Sequence, residues 1–145
     1  MSDLHVLCKI ADGEYVLPAA DVLQMESFAG ATHVPGAAAQ VAGLVQIRGR
    51  VVPVLDLRMI FGFPKIEPTL NSRVVVLQQD GRTVGLLVDS AREVLKIPAA
   101  DFQPPPPVVV QQTDGIVKAV AQTNNRLLML IDASKVIGEE QPHGE

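Results

Sequence analysis

The stretch that decides the fold is Val41-Ala42-Gly43-Leu44-Val45-Gln46-Ile47-Arg48-Gly49-Arg50-Val51-Val52-Pro53-Val54-Leu55-Asp56. Two apolar runs of strand length lie on either side of the dipeptide Arg48-Gly49. Runs this short, separated by a turn signal, are typical of a β-hairpin and not of a helix. We therefore predict that residues 43–47 pair with the run that follows Arg48.

The same pattern of turn signal, short apolar run and aspartate occurs three more times. An Asp-Gly or Asn-Asn step supplies the positive φ angles that a tight hairpin turn needs. The further turn signals are Asp12-Gly13, Asp80-Gly81 and Asn124-Asn125. Their partner runs are Leu4 to Ile10, Arg73 to Gln78 and Gly115 to Ala121. Four hairpins are therefore expected.

The hairpin pattern is also duplicated along the chain. Five pairs of landmarks recur in the same order, at separations of 68, 72, 72, 76 and 76 residues: Asp12 and Asp80, Val22 and Val94, Gly43 and Gly115, Arg50 and Arg126, Asp56 and Asp132. Chance explains five ordered matches less well than a repeat does. We predict two similar halves, 5–66 and 73–138, within one domain spanning 1–145, and a flexible polar tail at 139–145.

The repeat and the strand lengths together predict an all-β fold. Many short strands with turns between them suggest two small barrels packed side by side. A half of about 60 residues buries only about 60% of its surface alone, so the halves should share a hydrophobic seam. Asp56 and Asp132 precede short helix-compatible stretches, 57–61 and 133–137, and are expected to cap them, with Gly62 and Gly138 at the ends.

Composition argues against several classes of function. The net charge is −4 and there is no tryptophan, so neither a phosphate backbone nor stacked bases have an obvious binding surface, and nucleic acid is not expected as a partner. Cys8 is the only cysteine, which fits a reducing compartment. Because no signal peptide or apolar span is visible, we expect a cytoplasmic protein without membrane insertion.

No constellation of catalytic residues is visible. His5, His33 and His143 stand far apart, in no spacing typical of metal ligands, so no metal or other cofactor is expected. Cys8 lies in an apolar run, where a thiolate would be desolvated. The sequence therefore predicts a protein that is not an enzyme.

Arg48 is the most prominent polar residue and has two interpretations. It can be a solvated turn arginine, as arginines at hairpin ends usually are. Alternatively, it can be an interface anchor, because a guanidinium makes several directional hydrogen bonds while its stem packs on apolar surface. Both remain open at the level of sequence.

The chain resembles the CheW-type chemotaxis coupling family over nearly its whole length. The block from Val41 to Leu57, with the pattern Gly-x-x-x-x-Arg-Gly-x-x-x-Pro-x-x-Asp-Leu, carries most of the resemblance. Further matching segments are Val34-Pro35, Gly85 to Asp89, Glu93-Val94-Leu95, the proline run from Pro104, Gly115-Ile116-Val117 and Leu130-Ile131-Asp132.

The resemblance implies a fold, an activity and partners. The implied fold is a pair of intertwined five-stranded SH3-like barrels, which agrees with the duplication. The implied activity is that of a scaffold without enzymatic function. It links the cytoplasmic tip of methyl-accepting chemoreceptors to the regulatory domain of a CheA-type histidine kinase, a domain of the same fold, and is recruited to membrane-associated receptor arrays.

Carried over by position, the resemblance also implies two binding surfaces. The kinase-binding residues would be Val22, Gln24, Met25, Val34 and Arg48. The receptor-binding residues, in a groove between the barrels, would be Gly43, Val45, Val88 and Leu128.

One position departs from the family pattern. The family usually has glutamate where this chain has Gln24, and Glu26 stands two residues on. Loss of that charge would weaken an ion pair with a basic kinase residue, although a hydrogen bond could remain. An alternative function is therefore an interaction module that has lost one partner and caps array growth, or that serves a pilus or gliding system. Whether the first strand joins the first or the second barrel stays open.

Overall fold

The structure is a computed structural model that describes residues 3–138, so the predicted tail at 139–145 lies outside the described residues. The described chain contains eleven strands and three short helices. The strands are β1 (Leu4–Ile10), β2 (Gly13–Pro18), β3 (Val22–Ser27), β4 (Val41–Ile47), β5 (Arg50–Asp56), β6 (Arg73–Gln79), β7 (Arg82–Val88), β8 (Ser90–Lys96), β9 (Phe102–Gln103), β10 (Val117–Thr123) and β11 (Arg126–Ile131). The helices are α1 (Leu57–Ile60), α2 (Pro107–Gln112) and α3 (Ala133–Gly138).

The strands form two sheets. The first barrel is a five-stranded sheet in the order β3-β6-β7-β5-β4, and the second barrel is a six-stranded sheet in the order β8-β1-β2-β11-β10-β9. The predicted all-β fold with two small barrels is confirmed. Its one addition is β9, a two-residue strand at the edge of the second barrel.

The four predicted hairpins are present, and three have the turn that the sequence suggests. Arg48, Asp80 and Asn124 have φ angles of 50°, 53° and 51°, and the residue after each also has a positive φ, as in a type I′ turn. In the first hairpin the turn is Ala11-Asp12 rather than Asp12-Gly13. Gly13 already pairs with Ile10, and Ala11 takes the positive φ of 53°.

The two barrels exchange their first hairpins. The β1–β2 hairpin pairs with β8 and β11 of the second half, and the β6–β7 hairpin pairs with β3 and β5 of the first half. The first strand therefore belongs to the second barrel. The ranges 5–66 and 73–138 describe the sequence repeat and not the barrels, because each barrel contains strands from both halves.

The strand register corrects part of the repeat. Ile10 pairs with Gly13 and Gln79 with Arg82, so the first hairpins correspond at an offset of 69 residues, not 68. The β4–β5 and β10–β11 hairpins correspond at 76, which confirms the Arg50 and Arg126 landmark.

Two other landmarks move. At an offset of 76, Gly43 corresponds to Ala119 and not to Gly115. At 69, Met25 and not Val22 corresponds to Val94. Similar tripeptides in neighbouring registers misled the alignment, because a β-strand repeats its burial pattern every second residue.

The core confirms the predicted seam. One large cluster contains buried residues from both barrels, among them Leu55 and Leu86 of the first and Leu17 and Ile131 of the second. Each barrel also has a smaller cluster on its other face. These are built around Phe28, Val54, Val74 and Val76 in the first barrel and around Leu7, Val16, Ile97, Ala121, Leu128 and Leu130 in the second.

Both predicted helix caps are present. Asp56 Oδ1 accepts a hydrogen bond from the backbone N of Arg58 at 3.0 Å, and Asp132 Oδ1 accepts one from the backbone N of Ser134 at 3.1 Å. Gly62 follows α1 with a φ of 82°, whereas Gly138 lies within α3. Helix α2 was not predicted, since it begins inside the proline run, with Pro107 at its first turn.

Candidate interaction surfaces

Two of the five predicted kinase-binding residues line one groove on the first barrel. The half-buried Gln24 on β3 and the exposed Arg48 in the β4–β5 turn face it together. The groove has a volume of about 260 Å³, and its other lining residues are Leu23, Ile47, Arg50, Val52, Val76 and Thr83. We call it the β3–β5 groove.

The other three predicted kinase-binding residues lie elsewhere. Val22 is half-buried and packs against the shared core. Met25 is 39% exposed on β3, and Val34 is half-buried in the connection between β3 and β4. Their assignment to a kinase surface stays a prediction.

Arg48 is a turn residue and also a free cation within residues 3–138. Its side chain is exposed and makes no hydrogen bond or ion pair with the described residues. The equivalent position in the second barrel is Asn124, a residue type that tolerates positive φ better than arginine does. Turn chemistry alone therefore does not account for an arginine here.

Gln24 is engaged with its neighbour. Its Nε2 donates a hydrogen bond to Oε2 of Glu26 at 2.6 Å, on the same face of β3. The carboxylate that the strand retains is therefore held beside Gln24, two residues along the strand.

The predicted receptor-binding residues are mostly buried. Leu128 is 0% exposed in the second barrel's own cluster, and Val88 is 2% exposed in the shared core. Their side chains alternate inward along β11 and β7, so a direct contact would require the core to open. Any effect of these two residues on a receptor has to be indirect.

Gly43 and Val45 lie on β4. Gly43 is buried with a φ of 142°, and a Cβ built there would stand 2.3 Å from the backbone O of Thr32. Thr32 and Leu44 exchange backbone hydrogen bonds of 2.8 and 2.9 Å, so this glycine lets the β3–β4 connection lie against β4. Val45 is half-buried and borders a second groove beside the same connection.

A charged network that sequence reasoning missed ties four segments together near the shared core. Arg58 on α1 donates from Nε and Nη2 to the two carboxylate oxygens of Asp89, at 2.8 and 2.9 Å. Asp89 Oδ2 also accepts from the backbone N of Ala11 at 2.8 Å, and Arg58 Nη1 donates to the Pro64 carbonyl at 3.1 Å. The Asp89 hydrogen bonds raise the pKa of Arg58. Only the topology brings these residues together.

Each barrel exposes a pair of apolar residues at equivalent positions. Met25 and Val51 are 39% and 68% exposed on the first barrel, and Val94 and Leu127 are 56% and 60% exposed on the second. Large exposed apolar side chains at matching positions are candidates for contact with partners. The corrected repeat is the signal that finds them.

The described residues offer little for catalysis. Among residues 3–138, no group of three or more His, Cys, Asp and Glu side chains could hold a metal ion. Burial raises the pKa of Cys8 to about 12, so its thiol stays protonated and unreactive at neutral pH. None of the described helices has the length and hydropathy needed to cross a bilayer.

Comparison with known proteins establishes the family. The model described as "CheW-like domain" matches residues 5–141, which include both barrels. This chain belongs to the CheW-like family. The predicted resemblance is thereby confirmed.

Relatives and a solved structure agree over most of this CheW-like chain. It is 32% identical to the chemotaxis protein CheW of Bacillus subtilis over 88% of this chain and 81% of the relative. It is 27% identical to protein FrzA of Myxococcus xanthus, over 89% of this chain and 81% of the relative. The crystal structure of scaffolding protein TtCheW from Thermoanaerobacter tengcongensis matches with a TM-score of 0.82 and 30% identity, covering 91% of this chain and 85% of that one. The CheW-like chain is a scaffold of chemotaxis signalling.

Proposed function

We propose that this chain couples chemoreceptors to a CheA-type histidine kinase, without enzymatic activity of its own. The observation that carries the proposal is the match to CheW proteins over both barrels and the seam between them, including a scaffolding protein of the same fold. An adaptor needs two binding surfaces held in a fixed relation. A shared core between two barrels provides that relation.

The kinase is proposed to bind the first barrel. Gln24 and Arg48 face the same groove there, and the exposed Met25 lies next to Gln24 on β3. Arginine combined with exposed apolar side chains is a frequent composition of protein interfaces. The regulatory domain of the kinase, with the same fold as this chain, is the proposed occupant.

The receptor tip is proposed to bind beside β4. Val45 is the one predicted receptor residue with an accessible, half-buried side chain, and the adjacent β3–β4 connection is held in place through Gly43. Val88 and Leu128 would act by supporting the cores on which this surface rests. Binding at this surface would recruit the protein to receptor arrays in the cytoplasm.

The proposal is tested by measuring two affinities with the full chain. Isothermal titration calorimetry would use a purified chemoreceptor cytoplasmic hairpin and, separately, a CheA regulatory domain. We expect both to bind, and to bind together. Binding of neither would refute the proposal, and binding of only one would limit the protein to a module with a single partner.

The enzymatic part of the proposal has its own readout. A reconstituted assay with receptor, kinase and this chain should show kinase activation that depends on its concentration. Turnover of ATP by this chain alone would contradict a purely scaffolding role.

A further inference from the structure

The second barrel carries an ion cluster that links three strands. Arg126 on β11 donates from Nε and Nη2 to the carboxylate of Glu14 on β2, at 3.1 and 2.8 Å. Its Nη2 also reaches Oε1 of Glu93 on β8 at 3.5 Å. The hydrogen bond from Arg126 lowers the pKa of Glu14, so this carboxylate stays charged. In the second barrel, the arginine is therefore neutralised from within.

The first barrel repeats the arginine but not the carboxylates. The strand register equates Arg126 with Arg50, at an offset of 76 residues. At the offset of 69, Glu14 corresponds to Thr83, and Glu93 corresponds to Gln24. Both acidic partners have been replaced by neutral residues.

The three replacement positions lie in one place. Arg50, Thr83 and Gln24 all line the β3–β5 groove, where Arg48 adds a second guanidinium. Neither Arg48 nor Arg50 has a hydrogen bond or an ion pair within residues 3–138, and both are exposed. The only carboxylate close to Gln24 on β3, that of Glu26, accepts the hydrogen bond from Gln24 and is not paired with either arginine.

Thr83 gives an independent sign that the groove is incomplete. Its Oγ1 is buried and has no hydrogen-bond partner among the described residues. A buried hydroxyl without a partner is uncommon, because its desolvation is not compensated. An acceptor that enters the groove would satisfy it, and a carboxylate is an acceptor that also matches two guanidinium groups.

We propose that the β3–β5 groove binds an acidic side chain of a partner protein, whose carboxylate takes the place that Glu14 and Glu93 occupy in the second barrel. The partner is the kinase regulatory domain, an assignment that rests on the proposed function because Gln24 and Arg48 face the same groove. The first barrel thus borrows from its partner the anion that the second barrel supplies itself. Arg50 forms the bidentate contact, and Arg48 adds charge at the rim.

The first test reverses the charge of the arginine. Arg50→Glu is expected to weaken binding of the CheA regulatory domain about tenfold or more, measured by calorimetry. Lys96→Glu, at an exposed position on β8 of the other barrel, makes the same change in net charge and should leave the affinity within about twofold. Thermal melting of both variants checks that they are folded.

The second test fills the groove from within. The double variant Gln24→Glu and Thr83→Glu rebuilds the carboxylates of the second barrel around Arg50. It should keep or raise the melting temperature and weaken kinase binding by a similar factor, with a smaller dependence of affinity on salt than the wild type has. A loss of affinity without a loss of stability separates an occupied groove from a damaged fold.

The outcomes distinguish the inference from the proposed function. If the wild type does not bind the regulatory domain, both are overturned. If the wild type binds and Arg50→Glu binds equally well, only the carboxylate site is overturned. The same holds if Arg50→Glu leaves kinase binding intact but abolishes self-association or receptor binding, because the acidic group would then belong to a different occupant.

Discussion

Arg48 stands in a backbone conformation that its side chain does not favour. The φ of 50° at this position suits asparagine or glycine, and the equivalent residue of the second barrel is Asn124. We predict that Arg48→Asn leaves the free energy of unfolding unchanged or raises it by up to about 0.5 kcal/mol, because the turn is retained and eased. The same variant should bind the kinase regulatory domain more weakly. Urea denaturation and calorimetry measure the two effects, and a clear loss of stability would instead make Arg48 a structural residue.

At this scale, the sequence predicts the residues with local signals and misses those that depend on distant strands. Asp56 and Asp132 were predicted as caps because capping involves neighbours in sequence. The Arg58 contact to Asp89 spans 31 residues and has no such signal. Leu128 was predicted as a contact residue because the resemblance gives its position, whereas only the packing shows that it is buried.

The helices α1 and α3 are equivalent elements with caps in different electrostatic surroundings. Burial raises the pKa of Asp56 above its ordinary value of 3.8. Burial also acts to raise the pKa of Asp132, but hydrogen bonds from Ser134 and the charge of Lys118 outweigh it, and the net shift is downward. The two carboxylates should therefore contribute to stability with opposite dependence on pH.

The prediction for these elements compares Asp56→Asn with Asp132→Asn. A raised pKa means that Asp56 favours folding below about pH 3.8 and loses this contribution as the pH rises through its folded-state value. A lowered pKa means that Asp132 favours folding above about pH 3.8 and loses this as the pH falls. Asparagine keeps an acceptor oxygen for the cap in both variants.

Urea denaturation between about pH 3 and pH 7 measures the difference. Relative to the wild type, Asp56→Asn should gain stability as the pH rises, by about 0.5 to 1 kcal/mol, and Asp132→Asn should lose stability over the same range. Parallel pH curves for the two variants would contradict the assigned surroundings of the caps.

For the whole molecule, the exchange of hairpins is the feature that local pattern could not reveal. The sequence predicted four hairpins, a repeat and a shared seam, all of which depend on periodicity and turn residues. It did not predict that β1–β2 would pair with β8 and β11, because hydrogen bonding between strands so far apart leaves no mark on either segment. The resemblance implied intertwined barrels without assigning the first strand to either one.

The exchange makes each half of the chain dependent on the other. A fragment that ends before β6 lacks two of the five strands of the first barrel, and it holds only β1 and β2 of the second. The buried cluster shared by Leu17, Leu55, Leu86 and Ile131 would also be divided between the fragments. Neither fragment could then bury its apolar strands, since the main-chain groups and side chains facing the missing hairpin would be exposed.

We therefore predict that fragments 1–69 and 70–145, produced separately, are each unfolded and regain the fold when mixed in equal amounts. Circular dichroism should show no cooperative thermal transition for either fragment alone and a transition for the mixture, at a temperature that rises with concentration because folding and association are coupled. Cutting the intact protein at a protease site inserted into the exposed segment around Leu70, which is 97% exposed, is the control and should leave the two pieces associated. A cooperative transition in one fragment alone would mean that the hairpins return to their own half, and the exchanged pairing would then not be what holds the two barrels together.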